Sequence, residues 1–520
     1  MQRSLEAVVD VMRVPADGDP ASAVLPVEGT PSGGPERCEV LIAGGGTGGV
    51  AAALAAARRG RRVVLLEETD WLGGQMTAQG VSALDEHEHI ESCGGTASYY
   101  ALRNAIRKHY GESNPGNCWV TRLAFEPRVA ARIIEQMLPA GVQVLKRTKA
   151  VAATTEGDRI TEVVAMGLDD GQLVRFQPQL VIDATELGDL LPLSGTEHVV
   201  GAEATADTGE AQAQPKEPKP RCVQSFTYTF ACERRPAGET HVIPKPKNYE
   251  HYRDTQPYSL RIEVHGGEIY GEHSGWLQYS LYEQRPGTKG GLWTYRRLVE
   301  KENLTLFNWP GNDYRDRSLI DCEPHEAALA LQEAKQVSLG FLHWLQQEAP
   351  ELKLRPDVMD TADGLSKHPY IREARRIQAR KTIVEQEVSA SYQLGALAAP
   401  FHDSVGIGWY PIDIHRSGPD DVGASARTRP FQIPLGALLP LRTANLVAGA
   451  KNIGTTHITN GCYRLHPVEW NVGEAAGALA AFCLEQNLPP AAVREEASML
   501  RRFQARLLEE GVPLAWPELA

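Results

Sequence analysis

The segment from Cys38 to Glu68 alternates between two kinds of apolar pattern. CEVLIAGGG and RRVVLLEE are short continuous apolar runs, and the alanine-rich VAAALAAARRG between them has helical spacing and ends at Gly60. Short apolar runs next to glycine indicate buried strands, whereas a longer run that ends at glycine indicates a helix. The segment therefore predicts a βαβ unit.

The same patterns return later in the chain. FEPRVAARIIEQML and VGEAAGALAAFCLEQ predict helices, and VQVL, AVAAT, ITEVVAM, LVIDAT and NLVAGA predict strands. Because both ends of the chain share these patterns, we expect an α/β fold whose Rossmann-type domain is assembled from both ends. The region between them mixes strand-like VQSFTYTF with the helical HEAALALQEAKQVSLGFLHWLQQ, which predicts an inserted mixed α+β substrate domain.

Changes in composition set the expected boundaries. Five prolines and Gly33-Gly34 before residue 38 exclude a long helix or a central strand, and residues 203 to 220 are polar and rich in proline. The expected units are a flexible leader (1–37), the first part of the cofactor domain (38–202), the inserted substrate or cap domain (203–433), the second part of the cofactor domain (434–490) and a C-terminal helical tail (491–520).

Length, charge and cysteine usage narrow the class of protein. A chain of 520 residues predicts several packed units, and a formal net charge of -13 without a basic run argues against a nucleic-acid partner. No apolar run reaches the ~20 residues that span a bilayer, so we expect no membrane partner. Eight cysteines without a C-x-x-C pair favour reduced thiols in the cytoplasm. The oligomeric state stays open.

A glycine-rich turn follows the first predicted strand and begins the first predicted helix. Gly44 to Gly49 fit G-x-G-x-x-G, the pattern of a dinucleotide site. Gly44 permits the tight turn, Gly46 lets backbone N–H groups approach a pyrophosphate, and Gly49 lets the helix pack on the strand. Thr47 and Gly48 lie at the positive end of the helix, where phosphates bind.

Two acidic residues end the second predicted strand. Glu67 lies about 20 residues beyond the glycines, where a carboxylate accepts hydrogen bonds from ribose hydroxyls. Glu68 is the adjacent competitor. Because side chains alternate along a strand, only one of them is expected to face the ribose, and the position favours Glu67.

The next segment separates FAD from a nicotinamide cofactor. Trp71-Leu72-Gly73-Gly74-Gln75 resembles the segment of two-dinucleotide-binding-domain flavoproteins in which Leu-Gly-Gly passes the pyrophosphate and the flavin. Paired glycines expose backbone N–H groups that side chains would shield. We therefore expect Gly73, Gly74 and Gln75 to contact FAD.

The chain as a whole resembles the FAD-dependent oxidoreductase family whose members are often labelled as similar to a xanthan lyase. From Cys38 to about Cys483 the resemblance is carried by GGGTGGVAAALAAARRG, LGGQMTAQG, VIDATELGDLLPLSG, PYIREARRI, GWYPIDIH, IPLGALLP and NLVAGAKNIGTTHITNGCYRLHPVEWNVGEAAGALAAF. Covalent flavoproteins of this general fold carry a histidine near the second glycine pair. WLGGQMTAQG has none, so we expect non-covalent FAD.

The resemblance also implies further cofactor contacts. From the adenine end to the flavin end they are Val151 (backbone contact to adenine), Thr185 and Gly188 (turn over the ADP half), Asn452 and Gly454 (ribityl or phosphate neighbours), and Asn471 and Gly473 (helix N-terminus at the flavin pyrimidine edge).

PYIREARRI concentrates arginine. As a helix it would place Arg372 on the same face as Arg375 or Arg376, where guanidinium groups bind a substrate carboxylate or phosphate. The alternative, a helix salt-bridged through Glu373, stays open.

Histidines provide the candidate proton carriers. His457 in GTTHITNG lies between a strand-end loop and the last core helix, both of which the resemblance brings to the isoalloxazine, and His415 is held in reserve. That His457 only hydrogen-bonds the flavin or the loop, or that His415 is a buried core histidine, also stays open. His87 and His89 form an H-x-H pair but lack two further zinc ligands, so we expect cleft residues and no metal.

These features together predict an oxidoreductase that passes a hydride from a small organic substrate to flavin N5. A sugar or polyol is suggested only by the family label. A flavin-dependent monooxygenase or halogenase is the alternative reaction, and a non-catalytic binding protein that keeps the dinucleotide fold is the alternative class.

Overall fold

The computed structural model describes residues 2–31, 33–213, 216–267, 271–418, 421 and 423–518. The strands are β1 (Gln2–Ser4), β2 (Ala7–Val9), β3 (Val24–Pro26), β4 (Glu36–Ala43), β5 (Val63–Glu67), β6 (Val142–Lys146), β7 (Thr148–Glu156), β8 (Arg159–Gly167), β9 (Leu173–Asp183), β10 (His198–Val199), β11 (Phe230–Arg234), β12 (Arg261–Gly267), β13 (Gly271–Gln278), β14 (Arg297–Val299), β15 (Leu304–Phe307), β16 (Leu352–Leu354), β17 (Arg376–Ile377), β18 (Ser404–Gly408), β19 (Ile412–Ile414), β20 (Ala424–Ala426), β21 (Phe431–Pro434) and β22 (Leu446–Ala448). The α-helices are α1 (Thr47–Arg58), α2 (Ala97–Tyr110), α3 (Pro127–Met137), α4 (Leu190–Ser194), α5 (Thr205–Thr208), α6 (Tyr249–Thr255), α7 (Leu292–Tyr295), α8 (Pro324–Gln346), α9 (Pro356–Met359), α10 (His457–Tyr463), α11 (His466–Gln486), α12 (Pro490–Glu495) and α13 (Ala497–Glu509).

The largest sheet contains strands from both ends of the chain. Its parallel part runs β6, β5, β4 and β9, and β22 pairs in parallel with the end of β9. The antiparallel strands β7 and β8 extend it beyond β9. Parallel strands buried on both faces read as continuous apolar runs, which is why this pattern was visible in the sequence. The Rossmann-type α/β fold assembled from both ends is confirmed.

Helices α1 and α11 pack in direct backbone contact above this sheet. A Cβ added at Gly473 would lie 1.9 Å from the Gly48 carbonyl oxygen, and one added at Gly477 would lie 2.1 Å from that of Ala52. No side chain fits at these two positions, so small residues allow the close approach. The contact ties the C-terminal helix to the helix that follows the glycine turn.

The middle of the chain forms a second apolar core. The antiparallel strands β14, β15, β11 and β16 pack with α8 through aromatic side chains, among them Phe230, Phe307, Trp309 and Phe341. Later residues of the expected insertion, including Val405 and Phe431, instead join the core that contains α1 and α11. The cofactor-domain core therefore extends across the boundary expected at residues 433 and 434.

The expectation of a flexible leader is wrong for the described part of residues 1–37. Strand β1 pairs with β7, and β2 pairs with β3. Val8, Val11 and Val14 are buried, and the buried Asp10 forms an ion pair with Arg147. Proline excludes long helices and central strands, but it does not prevent short edge strands from burying single valines.

In the ranges that the structure describes, no helix is both long enough and apolar enough to cross a membrane.

Candidate functional site

In the glycine turn between β4 and α1, no side chain covers the backbone. Gly44 has φ +94°, and a Cβ there would lie 2.2 Å from the Ala184 carbonyl oxygen. A Cβ on Gly49 would lie 1.8 Å from the Gly44 carbonyl oxygen, and a Cβ on Gly48 would lie 2.0 Å from the Gly449 carbonyl oxygen. Only glycine fits these positions, and the turn follows a strand and begins a helix as the motif requires.

The second glycine pair crosses the first. Gly73 donates its N–H to the Gly45 carbonyl at 2.8 Å and accepts from the Thr47 hydroxyl at 2.9 Å. Gly73 and Gly74 both have positive φ, at +110° and +54°. The Gln75 amide continues toward the start of α11, where it donates to the Arg464 carbonyl at 3.0 Å. Two segments rich in bare backbone N–H groups thus lie face to face.

A cleft opens at this crossing, at the carboxyl ends of β4, β5 and β9. Five of the predicted cofactor residues line it: Gly44, Gly46, Glu67, Gly74 and Thr185. It is also lined by residues that sequence reasoning missed or ranked second: Glu68, Thr148, Lys149, Ala150, Glu186, Asp189 and His368. The missed residues come from three separate segments, namely the start of β7, the loop after β9 and the segment around His368, and only the fold brings them together.

The two acidic residues at the end of β5 have different partners. Glu67 accepts the Gly45 N–H at 2.9 Å and the Thr69 hydroxyl at 2.6 Å, and burial raises its pKa. Glu68 lies 2.7 Å from the Lys149 ammonium and 3.3 Å from His368 Nε2. Burial opposes the charge on Glu68, but Lys149 and His368 hold its pKa well below the usual range. Both carboxylates line the cleft.

Two predicted contacts on the ADP side, Val151 and Gly188, lie outside the lining of the cleft. The Val151 carbonyl accepts the N–H of Leu5, and Val151 stands at a register shift between β7 and β8, outside the cleft lining. The preceding residues Thr148, Lys149 and Ala150 line the cleft instead. A β-bulge shifts which residues of a strand face a surface, and a contact of the Val151 backbone with adenine stays a prediction.

Gly188 packs against the chain rather than lining the cleft. It has φ +68°, and a Cβ on it would lie 2.9 Å from the Arg375 carbonyl oxygen. Thr185 does line the cleft, and its hydroxyl bridges Asp183 and the Asp189 N–H at 2.7 and 2.6 Å. Thr185 therefore fixes the turn that ends β9.

Asn452 and Gly454 hold the loop after β22 to its neighbours. The Asn452 amide donates to the Asp183 carbonyl at 3.0 Å. A Cβ on Gly454 would lie 2.3 Å from that of Ala379. Neither residue lines the cleft, so a direct cofactor contact from them stays a prediction.

The expectation that Asn471 and Gly473 begin the last core helix is wrong. Helix α11 begins at His466, one to two turns earlier, and Gly473 faces Gly48 across the helix contact. The Asn471 side chain accepts the Ile407 N–H at 3.1 Å. The amphipathic signal failed here because every residue from His466 to Cys483 is buried, so no polar face marks the start.

PYIREARRI is not a helix, and its arginines are paired. Arg372 lies 3.1 Å from Asp313, and Arg375 lies 2.9 Å from Asp321 and 3.3 Å from Asp189. Both guanidinium groups are buried in this extended segment because carboxylates from other segments neutralise them. The helix face that Arg372 and Arg375 were expected to share is therefore not formed, and substrate binding by these residues stays a prediction.

His457 belongs to a buried ion network. It begins α10, and its Nδ1 lies 2.9 Å from the Glu373 carboxylate, which also pairs with Arg376. Burial opposes the charge on Glu373, but His457 and Arg376 hold its pKa below the ordinary value. The His457 imidazole therefore already has a structural partner, the Glu373 carboxylate.

His415 lies in a different cluster, which is partly open to solvent. Its Nδ1 lies 2.6 Å from Asp313, and its Nε2 lies 3.5 Å from Asp413. Asp313 is buried, whereas 44% of the Asp413 side chain is exposed. His415 is thus held at one ring nitrogen by a buried carboxylate, with the other ring nitrogen toward the open side.

This cluster continues to the segment of the second glycine pair. Tyr370 accepts a hydrogen bond from Arg464 at 2.6 Å and lies under the Arg372 guanidinium, whose carbon is 4.7 Å from the ring centroid. Arg464 contacts Asp413 at 3.3 Å and receives the Gln75 amide on its carbonyl. Sequence reasoning missed Tyr370 and Arg464, although both stand within blocks that carry the resemblance.

His87 and His89 stack on the same tryptophan. Their ring centroids lie 5.9 and 5.6 Å from that of Trp409. Burial lowers the pKa of His87 to about 3, so its ring is neutral near pH 7. The pair lies in an aromatic cluster rather than along the cleft.

The residues of the cleft fit the ADP half of FAD. Gly44 and Gly46 offer bare backbone beside the N-terminus of α1, which suits a pyrophosphate. Glu67 offers a carboxylate at the strand end, where the ribose hydroxyls of a dinucleotide bind. The donor set and the bare backbone therefore agree with the cofactor that the resemblance implied.

Comparison with known proteins gives one strong result. The model of a family described as FAD dependent oxidoreductase matches residues 39–507. No functionally curated protein matches the chain.

Solved structures share the fold only distantly. A geranylgeranyl bacteriochlorophyll reductase-like protein from Thermoplasma acidophilum is 10% identical, with 92% of this chain and 85% of that one covered and a TM-score of 0.33. The myxobacterial chondrochloren halogenase CndH is 18% identical (39% and 46% covered, TM-score 0.23), and the L-proline dehydrogenase from P. horikoshii is 17% identical (34% and 27% covered, TM-score 0.19). The chain spans about half the length of the halogenase and about a quarter of the length of the proline dehydrogenase. Similarity at this level carries no functional argument.

Proposed function

The chain belongs to the FAD-dependent oxidoreductase family, as its sequence resemblance indicated, and we propose that it oxidises a small hydroxylated organic substrate. FAD is the cofactor, and when bound it accepts a hydride at N5. We propose that the binding is non-covalent. Gly44, Gly46, Glu67 and Gly74 would hold it through the contacts that the cleft offers.

The single observation that carries the proposal is the pairing of His415 with the buried Asp313. Asp313 accepts the Nδ1–H of His415 at 2.6 Å, which fixes the orientation of the ring and turns Nε2 toward Asp413 and the open side. A histidine oriented in this way accepts a proton on Nε2 from a substrate hydroxyl or amine. Asp413, 3.5 Å from Nε2, stabilises the imidazolium that forms.

We prefer His415 to His457 as the proton carrier, which reverses the order that the sequence favoured. His457 is held by Glu373 in a network with Arg376. His415 has a solvent-facing side and lies in the cluster that reaches Gln75 through Arg464. Proton uptake needs a path to the substrate and to water, which favours the more open histidine.

Unpartnered polar atoms beside this cluster support a hydroxylated substrate. In the described part of the chain, the Ser225 hydroxyl, the Gln79 amide nitrogen and the Nε atoms of Arg372 and Arg464 are buried without a hydrogen-bond partner. Buried polar atoms require a partner, and a ligand rich in hydroxyl groups supplies donors and acceptors at once. A sugar or polyol is therefore the first class to test.

The free thiols of all eight cysteines support our proposal that the enzyme works in the cytoplasm. A small molecule is the expected partner.

Anaerobic bleaching of the flavin tests the reaction without knowledge of the electron acceptor. Sugars, polyols, amines and hydroxy acids are mixed in turn with the oxidised protein, and the visible flavin absorbance is followed. We expect a hydroxyl compound to bleach it. Bleaching by nicotinamide cofactors alone, with no response to any organic donor, would overturn the proposed direction of electron flow.

A further inference from the structure

Three charged side chains meet above the glycine turn, and the proposed proton transfer uses none of them. Lys451 follows β22, Glu186 follows β9, and Glu469 lies in the first turn of α11. The Lys451 ammonium lies 2.5 Å from Glu186 Oε2 and 3.2 Å from Glu469 Oε2. Lys451 and Glu469 are fully buried, and Glu186 is nearly so. The position is therefore an ion cluster at the carboxyl edge of the sheet, where ligands of this fold bind.

The Glu186 carboxylate lies in the space that the glycines keep free. Its Oε1 is 2.6 Å from the place where a Cβ would stand on Gly46 and 2.8 Å from that on Gly74. These two glycines belong to the two segments that expose backbone N–H groups to the cleft, which is the arrangement that binds phosphate. A carboxylate of the protein thus lies where the pyrophosphate of a dinucleotide is expected.

The charges cannot all stay in place when a dinucleotide binds. Lys451 is the one cation of the cluster and faces two carboxylates, Glu186 and Glu469, and burial raises the pKa of Glu469. A pyrophosphate adds two negative charges, and like charges at contact distance repel strongly in a buried site. Glu469 is fixed because it also accepts the Gln75 amide at 2.7 Å. Glu186 stands in the loop between β9 and α4, where 11% of its side chain reaches solvent.

We propose that Glu186 occupies the phosphate position of the ligand-free protein and leaves it when FAD binds, so that Lys451 exchanges the Glu186 carboxylate for the pyrophosphate. Glu469 stays and keeps Lys451 in position throughout. Glu186 is then an internal competitor of the cofactor, and Lys451 is a phosphate ligand. This proposal concerns the cofactor and does not depend on the substrate or on His415.

Binding of ADP and of adenosine to the full-length protein, after its flavin has been removed, separates phosphate recognition from adenine recognition. Glu186→Gln removes the competing charge and keeps the side-chain volume. We expect this variant to bind ADP and FAD about tenfold tighter than the unmodified protein, with adenosine unchanged. Glu495→Gln, which removes one surface charge that pairs with Arg380, is the matched control and should change none of the three affinities.

Lys451 is tested in the opposite direction. Lys451→Gln is expected to weaken ADP about tenfold without changing adenosine, and Lys451→Arg, which keeps the charge in case the first variant folds poorly, should stay close to the unmodified protein. Glu186→Gln that binds ADP equally or more weakly would overturn the proposal, because a carboxylate that holds the ligand loses affinity when neutralised. Equal tightening of ADP and adenosine would overturn it as well, since the effect would then not be electrostatic.

Discussion

Glu67 and Glu68 are neighbours in the chain, yet their carboxylates have different electrostatic surroundings. Glu67 accepts a hydrogen bond from the Gly45 N–H, and burial raises its pKa. Glu68 is held by Lys149 and His368, which lower its pKa against the effect of burial. A carboxylate with neutral donors exchanges them for ribose hydroxyls more readily than one held by two cationic groups.

We therefore expect Glu67→Ala to weaken FAD binding by about tenfold to a hundredfold, which corresponds to the loss of one charge-assisted hydrogen bond of roughly 1.5 to 3 kcal/mol. Fluorescence titration of the flavin-free protein measures the affinity. Glu68→Ala is the matched control and should cost less. A larger loss of FAD affinity in Glu68→Ala would show that Glu68, and not Glu67, binds the ribose.

The two histidines allow a second test at the scale of single residues. His415→Gln keeps a hydrogen-bonding side chain but removes the base, so the anaerobic reduction of the flavin by substrate should slow by roughly a hundredfold to ten-thousandfold while flavin stays bound. Stopped-flow absorbance measures the rate. His457→Gln is the comparison, and its rate should stay within a few fold of the unmodified enzyme. If His457→Gln produced the greater loss, the proton carrier would be His457.

At the scale of elements, the N-terminal strands stabilise two cores at once. β1 adds to the edge of the large sheet beside β7, while Val11 and Val14 enter the aromatic core with α8. Lys335 in α8 also donates to the Val14 carbonyl at 2.8 Å. The segment thus connects the sheet to the inserted region.

Deleting residues 1–27 is therefore expected to lower the thermal midpoint by several degrees, because it exposes the apolar surface that these strands cover. Differential scanning calorimetry measures the midpoint. In the full chain, Val11→Ala should cost about 2 kcal/mol, whereas Val242→Ala, on an exposed valine, should cost less than about 0.5 kcal/mol. An unchanged midpoint after the deletion would show that residues 1–27 do not stabilise the fold, as expected of a flexible leader.

At the scale of the whole molecule, the cofactor domain needs both ends of the chain. β22 and α11 complete the sheet and the helix contact that begin with β4 and α1. His87 and His89, the histidines that follow the glycine pair most closely, stack on Trp409 instead of lining the cleft. The arrangement supports our proposal that backbone groups and hydrogen bonds hold the dinucleotide without a covalent bond.

We expect acid precipitation of the purified yellow protein to release its flavin completely as FAD. The reason is that, in our proposal, hydrogen bonds and packing rather than a bond to a side chain hold the cofactor. Absorbance and chromatography of the supernatant measure the release. Flavin that stays with the washed precipitate would demonstrate a covalent link.

The sequence by itself determined the fold class, the cofactor and much of the cleft. Gly44, Gly46 and Glu67 were readable because local backbone geometry requires glycine at fixed spacing and because the acid ends a strand that the apolar pattern defines. Gly74 and Thr185 were readable through the resemblance to known flavoproteins. Each of these signals lies within a short stretch of chain.

Only the tertiary structure decided the rest. Lys149 reaches the cleft from β7, Glu186 and His368 reach it from separate loops, and Lys451 meets Glu186 from a strand end far along the chain. The helix expected around Arg372 and the leader expected before residue 38 both failed, since the first is held by ion pairs with distant carboxylates and the second by burial against distant strands. Charge pairing and burial act through space, and a chain read in order carries no record of which segments fold into contact.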